Sequence, residues 1–226
     1  MMIVIIGAGP VGINLIEQAL SGTSNELIVV ESDPALADAC AEQHDVRVLS
    51  MDVGDDAFVD ESQLARAEAL IATTDDDSTN LMAVLLAKEV GVKTLTATVS
   101  RRSHMAMFRR LGVRVLGDPE RLVAQHLLDI TLLRGISDVT TLRGGQQIIE
   151  LQLTDDSPLC GLDARGVRDG AWLEAGMELL ARVRDGETRA LQEGDTLAAG
   201  DSVILFAAER LRGRRRRTFL ERRLGG

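Results

Sequence analysis

The chain has 226 residues, enough for one large core or two small ones, with 45% hydrophobic residues and a formal net charge of −10. That charge is uneven, because residues 209–226 hold eight arginines against two glutamates, a net +6, which leaves −16 on the first 208 residues. A body this acidic, with 2% aromatic residues and no tyrosine, excludes nucleic acid as the main partner: phosphates need a basic surface and bases need stacking platforms.

The opening Met1-Met2-Ile3-Val4-Ile5-Ile6-Gly7 reads as a core strand. It lacks the basic flank and small-residue cleavage site of a signal peptide, so a cytosolic protein is expected. Further short apolar runs stand at Leu27–Val30, Val46–Leu49, Ala69–Ala72, Thr94–Val99 and Val113–Leu116. None approaches the ~20 apolar residues of a membrane span. Between the runs lie helical patterns at Val11–Leu20, Ala35–Ala41, Leu81–Val90 and Met105–Leu111, the last repeating Met105, Phe108 and Leu111 every three residues. Strands that are apolar throughout and alternate with helices predict a parallel sheet covered on both faces, a doubly wound α/β fold.

Asp118-Pro119-Glu120 then opens another helix, with Asp118 as N-cap and Pro119 at the first helical position, running to about Leu133 and stopping near Gly135. Its apolar residues, among them Leu122, Val123, Leu127, Leu128 and Ile130, nearly encircle it, which predicts a crossover that packs against a second subunit or domain. After Gly135 the pattern changes. Gln147–Leu153, Leu179–Val183 and Ser202–Ala207 read as strands, with turns at Pro158-Leu159-Cys160-Gly161, Asp185-Gly186 and Glu193-Gly194-Asp195. The expected organisation is a nucleotide-binding domain with its crossover helix at 1–134, a small α+β domain with few helices at 136–208, and a basic tail at 209–226. Cys40 and Cys160 read as buried or half-buried thiols, and His44, His104 and His126 have no metal-ligand spacing.

Gly7-Ala8-Gly9-Pro10-Val11-Gly12 follows the first strand and opens the first helix. In that context Gly7 makes the tight turn, Gly9 lets the backbone approach a pyrophosphate, and Gly12 permits close helix–strand packing. The helix N-terminus adds free N–H groups and the positive end of its dipole. Glu31 ends the second strand 19 positions after Gly12, where a carboxylate accepts a hydrogen bond from a ribose 2′-hydroxyl. The same carboxylate repels a 2′-phosphate and so disfavours NADP. Asp33 reads as the N-cap before Pro34. Met51-Asp52-Val53 follows the third strand, and Asp52 is either an acceptor for an adenine amino group or a solvated turn acid. Thr73 and Thr74 follow the fourth strand, where their hydroxyls reach ribose or phosphate oxygens, while Asp76 and Asp77 read as caps of the next helix.

Ile5-Ile6-Gly7-Ala8-Gly9-Pro10-Val11-Gly12, Val29-Val30-Glu31-Ser32-Asp33-Pro34, Ala72-Thr73-Thr74-Asp75-Asp76-Asp77-Ser78-Thr79-Asn80 and Leu111-Gly112-Val113 before Asp118-Pro119-Glu120 resemble the RCK/KTN domain of bacterial potassium-uptake regulators. Arg184-Asp185-Gly186-Glu187-Thr188 and Gly200-Asp201-Ser202-Val203 resemble the RCK C-terminal domain. The likeness to the TrkA/KtrA family runs over about residues 2–208. It implies a Rossmann-type RCK N-terminal domain followed by a small α+β RCK C-terminal domain. It also implies a cytosolic regulatory subunit, at the inner face of the membrane, of a TrkH/KtrB-like potassium transporter, with homodimers assembled into a ring. By position it implies a phosphate loop at Gly7, Ala8, Gly9, Pro10, Val11 and Gly12, a ribose acid at Glu31, an adenine contact at Asp52 with Val53 beside it, and Thr73 and Thr74 on the phosphate–ribose side. Glu120 matches a glutamate that holds a divalent cation at the dimer seam in some members; it also stands where a first-turn acid stabilises a helix dipole.

Pro10 stands where many members have arginine, and Ala97-Thr98-Val99 where many carry a cation. Losing two charge-assisted contacts weakens a triphosphate by roughly 1.5–3 kcal/mol each. The expected cofactor is therefore NAD(H), ahead of ADP or ATP. An NAD-dependent oxidoreductase is the alternative, but it needs a proton donor or acceptor at the nicotinamide. His104 is the one histidine in the later half of the six-strand βα pattern of residues 1–117, and it reads as exposed or capping. The tail arginines (Arg210, Arg212, Arg214 to Arg217, Arg222, Arg223) read as a solvated run, as a contact for anionic lipid, or as a dock for acidic transporter loops.

Overall fold

Six of the apolar runs pair side by side into one parallel sheet. In chain order the elements are β1 (Met2–Ile6), α1 (Pro10–Gly22), β2 (Glu26–Glu31), α2 (Pro34–Gln43), β3 (Arg47–Ser50), α3 (Phe58–Glu61), β4 (Ala69–Ala72), α4 (Asp77–Glu89), β5 (Thr94–Val99), α5 (Arg102–Arg110) and β6 (Arg114–Gly117). The strand order is β3-β2-β1-β4-β5-β6, all parallel, so the connection reverses direction between β1 and β4. The computed structural model describes residues 1–22, 25–132, 136–142, 144–170, 172, 173, 175–192 and 194–210. It divides into two units, Met1–Leu122 and Val123–Gly226.

Every residue of β1 is buried, because alternate side chains enter opposite layers. Met2, Val4 and Ile6 join Leu70, Phe58 and Phe108 in one core. Ile3 and Ile5 join Ile16, Val29 and Cys40 in the other. The expected helix face of Met105, Phe108 and Leu111 packs into the first of these cores, with Phe108 fully enclosed.

α6 (Pro119–Leu132) follows β6. The division between the units falls inside it, after Leu122, earlier than the boundary expected at the helix end. Asp118 precedes it with φ +57°, its carbonyl accepting the Leu122 N–H at 3.2 Å and its carboxylate lying 3.5 Å from Arg102. Leu122, Val123, Leu127 and Leu128 are 51–60% exposed on the single chain. Leu133 and Gly135, at the expected end of the helix, lie outside the described residues, as does Glu193.

Beyond α6, the second unit is an antiparallel sheet of β7 (Ile136–Thr141), β8 (Gln147–Gln152), β9 (Met177–Arg184), β10 (Glu187–Arg189) and β11 (Ser202–Ala207), ordered β10-β9-β11-β8-β7, with one short helix among the described residues, α7 (Ala164–Asp169). Val203, Leu205 and Ala207 of β11 are buried with Ile149 and Leu151 of β8. Asp185 and Gly186 both have positive φ and form the two-residue hairpin turn between β9 and β10. Asp201 is buried and holds Arg184 through two hydrogen bonds of 2.6 and 2.8 Å. Of the expected tail, Arg210 is paired rather than solvated, with one terminal nitrogen 3.0 Å from both Asp129 oxygens. Arg212, Arg214 to Arg217, Arg222 and Arg223 lie outside the described residues.

Candidate functional site

The β1–β4 reversal opens a crevice above the carboxyl ends of the strands, the place where open α/β sheets collect ligands. A cleft of about 520 Å³ lies there, lined among others by Gly7, Gly9, Pro10, Val11, Glu31, Ser32, Leu36, Thr73, Thr74, Asp75, Asp76, Thr98, Ser100 and Glu120.

The glycine loop is built by contact. Gly7 has φ +98°, and a Cβ there meets Thr74 Cγ2 at 3.1 Å. At Gly12 a Cβ would stand 2.0 Å from the Gly7 carbonyl oxygen, so the start of α1 lies directly against the loop. At Gly9 nothing lies within 4 Å, and the residue borders the cleft with open space. Pro10 begins α1, where its missing N–H costs no helical bond. The N–H groups of Val11 and Gly12, in the first turn, have no intrahelical acceptor.

Glu31 is buried at the end of β2, and both of its oxygens are engaged. Oε2 accepts the Ala8 N–H at 2.7 Å and Oε1 accepts the Asp33 N–H at 2.9 Å. Ala8 is thus enclosed beneath the loop and contributes its backbone to Glu31. Asp33 caps α2 through the Ala35 N–H, as its position before Pro34 predicts. Thr73 Oγ1 donates toward the carbonyls of Ile6 and Gly7 at 3.0 and 3.3 Å, tying the end of β4 to the loop. Thr74 Oγ1 lies 2.7 Å from Asn80 Oδ1.

Two of the expected contacts stand apart from this cleft. Asp52 is exposed in a turn after β3, where its Oδ1 accepts the Gly54 N–H at 2.7 Å. Val53 is buried in the core, so its side chain faces packing.

Asp77 also departs from expectation. Asp76 is the cap of α4, its carboxylate accepting the Thr79 N–H at 2.7 Å, and that bond holds its carboxyl below the ordinary value. Asp77 instead reaches across to the start of α5. Its oxygens accept the Ser100 and Arg101 N–H groups at 2.8 and 3.0 Å and meet His104 Nδ1 at 2.7 Å. Burial pushes the Asp77 carboxyl up, and these bonds together with His104 overcome it and hold it below the ordinary range. His104 is therefore neither free nor a cap. It is 33% exposed and lines a small hollow beside the cleft with Asp75, Asp76 and Arg101.

Asn80 is an organiser that carries no role in the sequence reading. It is fully buried; its amide accepts the Thr74 N–H and donates to the carbonyls of Thr74 and Thr98. Its signal in the sequence is an amide on the same helix stripe as Ala83, Val84 and Ala87, a face otherwise given to the core. Such a group is retained only where its hydrogen bonds are met. Among the described residues no cluster of three or more His, Cys, Asp or Glu side chains has the arrangement to hold a metal ion.

A parallel sheet ordered 3-2-1-4-5-6, with a glycine turn at its reversal and an acid ending β2, defines a Rossmann-type fold of the dinucleotide-binding class. The TrkA-N domain family matches residues 3–119, and the chain belongs to that family, as an RCK protein of the TrkA/KtrA kind. It is 28% identical over 210 residues to a Trk system potassium uptake protein TrkA homolog of Methanosarcina mazei, covering 91% of this chain and 45% of that protein. It is 31% identical over 211 residues to the TrkA protein of Azorhizobium caulinodans, covering 91% and 44%. The chain thus spans less than half the length of these curated relatives. Among solved structures it is similar in fold to the GsuK RCK domain (TM-score 0.63, 20% identity, 100% of this chain and 48% of that one). It is likewise similar to the GsuK channel bound to NAD (TM-score 0.61, 20% identity, 97% and 38%).

Proposed function

We propose that this chain is a nucleotide-sensing regulatory subunit of a membrane potassium transporter, and that its cleft takes NAD(H) in preference to ADP or ATP. The observation that carries the reading is the glycine loop at the β1–β4 reversal, open at Gly9 and flanked by Glu31. The fit is chemical: N–H groups at the start of α1 suit a diphosphate, and Glu31 retains lone pairs for ribose hydroxyls after bonding Ala8 and Asp33. The NAD bound in the GsuK channel and the potassium-uptake names of the curated relatives support the same assignment. No lysine, arginine or histidine lines the cleft among the described residues, which favours a diphosphate over a triphosphate.

Regulation follows from differential binding: the nucleotide shifts a homodimer, and a ring built from it, only by the difference in its affinity for two shapes, typically ~1–3 kcal/mol per site. The exposed leucines of α6 supply a surface for that pairing. No helix among the described residues is long and apolar enough to cross a membrane. In this reading the chain acts at the cytoplasmic face of the transporter, as the potassium-uptake names of its relatives suggest. A dehydrogenase reading finds no support at His104, whose Nδ1 is held by Asp77 in the neighbouring hollow.

Calorimetric titration with NAD, NADP, ADP and ATP at one salt concentration tests the reading. The expected order places NAD first and NADP last, with Gly9→Ala removing both binding and nucleotide-dependent potassium uptake while the protein stays folded. Absence of binding by any of the four, or regulation untouched in Gly9→Ala, overturns it.

A further inference from the structure

We infer that the chain carries a second interaction surface, a basic pole at the end of β5 and β6 opposite the cleft, and that this pole rests on the anionic headgroups of a lipid bilayer. The inference does not depend on the nucleotide reading. Charge in the first unit is sorted along its sheet. Residues 1–87, which supply β1 to β4 and most of α4, hold sixteen acids and two cations, a net −14. Residues 88–121, which supply β5, α5 and β6, hold eight cations and three acids, a net +5. Because β5 and β6 close one side of the order β3-β2-β1-β4-β5-β6, the basic residues gather at one edge of an acidic domain.

Within that edge the cations concentrate at one end. In a parallel sheet each strand begins where the preceding crossover helix stops, so the last turns of α4 and α5 and the first residues of β5 and β6 share the end away from the cleft. Lys88-Glu89-Val90-Gly91-Val92-Lys93 joins α4 to β5, and Arg109-Arg110-Leu111-Gly112-Val113-Arg114 joins α5 to β6. The two turns are alike. Gly91 N–H donates to the Lys88 carbonyl and Val92 N–H to that of Ala87, as Gly112 N–H does to Arg109 and Val113 N–H to Phe108. Val92 and Val113 are buried, and Val90 and Leu111 are half-buried. Every exposed side chain in the two turns is therefore charged: Lys88, Lys93, Arg109, Arg110, Arg114 and the single carboxylate Glu89. Lys88 Nζ donates to the Leu111 carbonyl at 2.9 Å and binds one turn to the other. Lys93, Arg109, Arg110 and Arg114 have no hydrogen-bond or ion-pair partner among the described residues.

The fold itself uses only part of this charge. The two helix C-termini carry about half a negative charge each and Glu89 one more, which leaves a surplus of about three cations. The other carboxylates at this end lie across the sheet: Glu68 before β4, with one oxygen on the Met2 N–H at 3.2 Å, and Glu26 at the start of β2. Surplus cations with no exposed apolar neighbour in their turns suit a plane of phosphates. A protein partner is held chiefly by aromatic or aliphatic anchors, and these turns offer none. The acidic side of the sheet is repelled by the same plane, so the field turns the chain to one orientation. Each cation close to such a surface raises partitioning by about fivefold, an effect that salt screens.

Cosedimentation of the full chain with phosphatidylglycerol vesicles, and with phosphatidylcholine vesicles as the neutral surface, at roughly 50 and 500 mM salt tests the assignment. Binding should be confined to phosphatidylglycerol, fall at the higher salt, and weaken at least about tenfold in Lys93→Gln/Arg110→Gln/Arg114→Gln. Arg165→Gln/Arg189→Gln removes exposed arginines of the second unit, already paired with Asp169 and Glu187, and should change binding by less than about twofold. Lys93→Gln alone gives the same readout, at about fivefold, should the triple variant fail to fold. No binding to phosphatidylglycerol, equal binding to phosphatidylcholine, or an equal loss in Arg165→Gln/Arg189→Gln overturns the inference. So does binding that the Lys93, Arg110 and Arg114 variants leave intact, as attraction through the tail arginines alone would give. A polyglutamate peptide bound by the full chain and released by the triple variant, with vesicles ignored, assigns the pole to an acidic protein segment and overturns the lipid surface.

Discussion

At Gly12 an added Cβ lands 2.0 Å from the Gly7 carbonyl oxygen, a backbone atom that cannot swing aside. At Gly9, three residues earlier, the same added atom meets nothing within 4 Å. One motif therefore contains a packing glycine and an approach glycine, and substitution separates them. Gly12→Ala is expected to lower stability by about 1–3 kcal/mol through forced separation of loop and helix, read as an earlier thermal midpoint. The Gly9→Ala loss should instead appear in binding, with the midpoint nearly unchanged; an equal drop in both variants would remove the distinction. These roles were legible in the sequence because a glycine turn between strand and helix has few backbone solutions. The engagement of Glu31 with Ala8 was not, since it depends on where β2 ends relative to β1, a register set by pairing across the sheet.

The elements around the cleft are tied by side chains that span them, and Asp77 is the clearest case, joining the first turn of α4 to the start of α5. Because its folded-state carboxyl lies below the ordinary value, its contribution is fully present above the unfolded value of about 3.9 and is lost as pH falls through the folded one. Hydrogen-exchange protection at the Ser100 and Arg101 amides, referred to intrinsic rates, should therefore hold down to about pH 4 and fall only on further acidification. That step should be absent in Asp77→Asn, and protection unchanged in acid would show that the turn is held by something else. Asp75, Asp76, Arg101 and His104 line the same hollow, and the variant isolates Asp77 from their titration. From sequence, Asp77 and Asp76 are indistinguishable caps, because the Ser100, Arg101 and His104 partners lie 23 to 27 positions away. β7 escaped notice for a related reason. Its apolar residues, Ile136 and Val139, stand three apart because the register slips between Ile136 and Asp138, and the slip erases the period of two that marks a strand. By contrast β4 and β5 match their expected limits, since runs buried on both faces need no periodicity to be seen.

For the molecule as a whole, α6 is where the single chain is least complete. Leu122, Val123, Leu127 and Leu128 each leave about half of their surface in water, while Ile130 packs against the second unit's core and Asp129 holds Arg210. Covering a half-exposed leucine or valine contributes about 1 kcal/mol, and in a two-fold pairing every contact occurs twice. Four such residues thus supply roughly 8 kcal/mol against an association cost of about 4–15 kcal/mol, so helix pairing alone is marginal and small changes in the patch decide its outcome. A lysine at a covered position both forfeits the apolar contact and faces its own symmetry mate or a desolvated neighbour, which costs more than truncation does. Leu127→Lys/Leu128→Lys is therefore expected to convert an oligomer to monomer in sedimentation equilibrium, with both sheets intact by circular dichroism because neither side chain belongs to a core cluster. If the unmutated chain sediments as a monomer across the accessible concentration range, or the variant keeps the same assembly, α6 is not the pairing surface and the sensor must couple to its transporter without it.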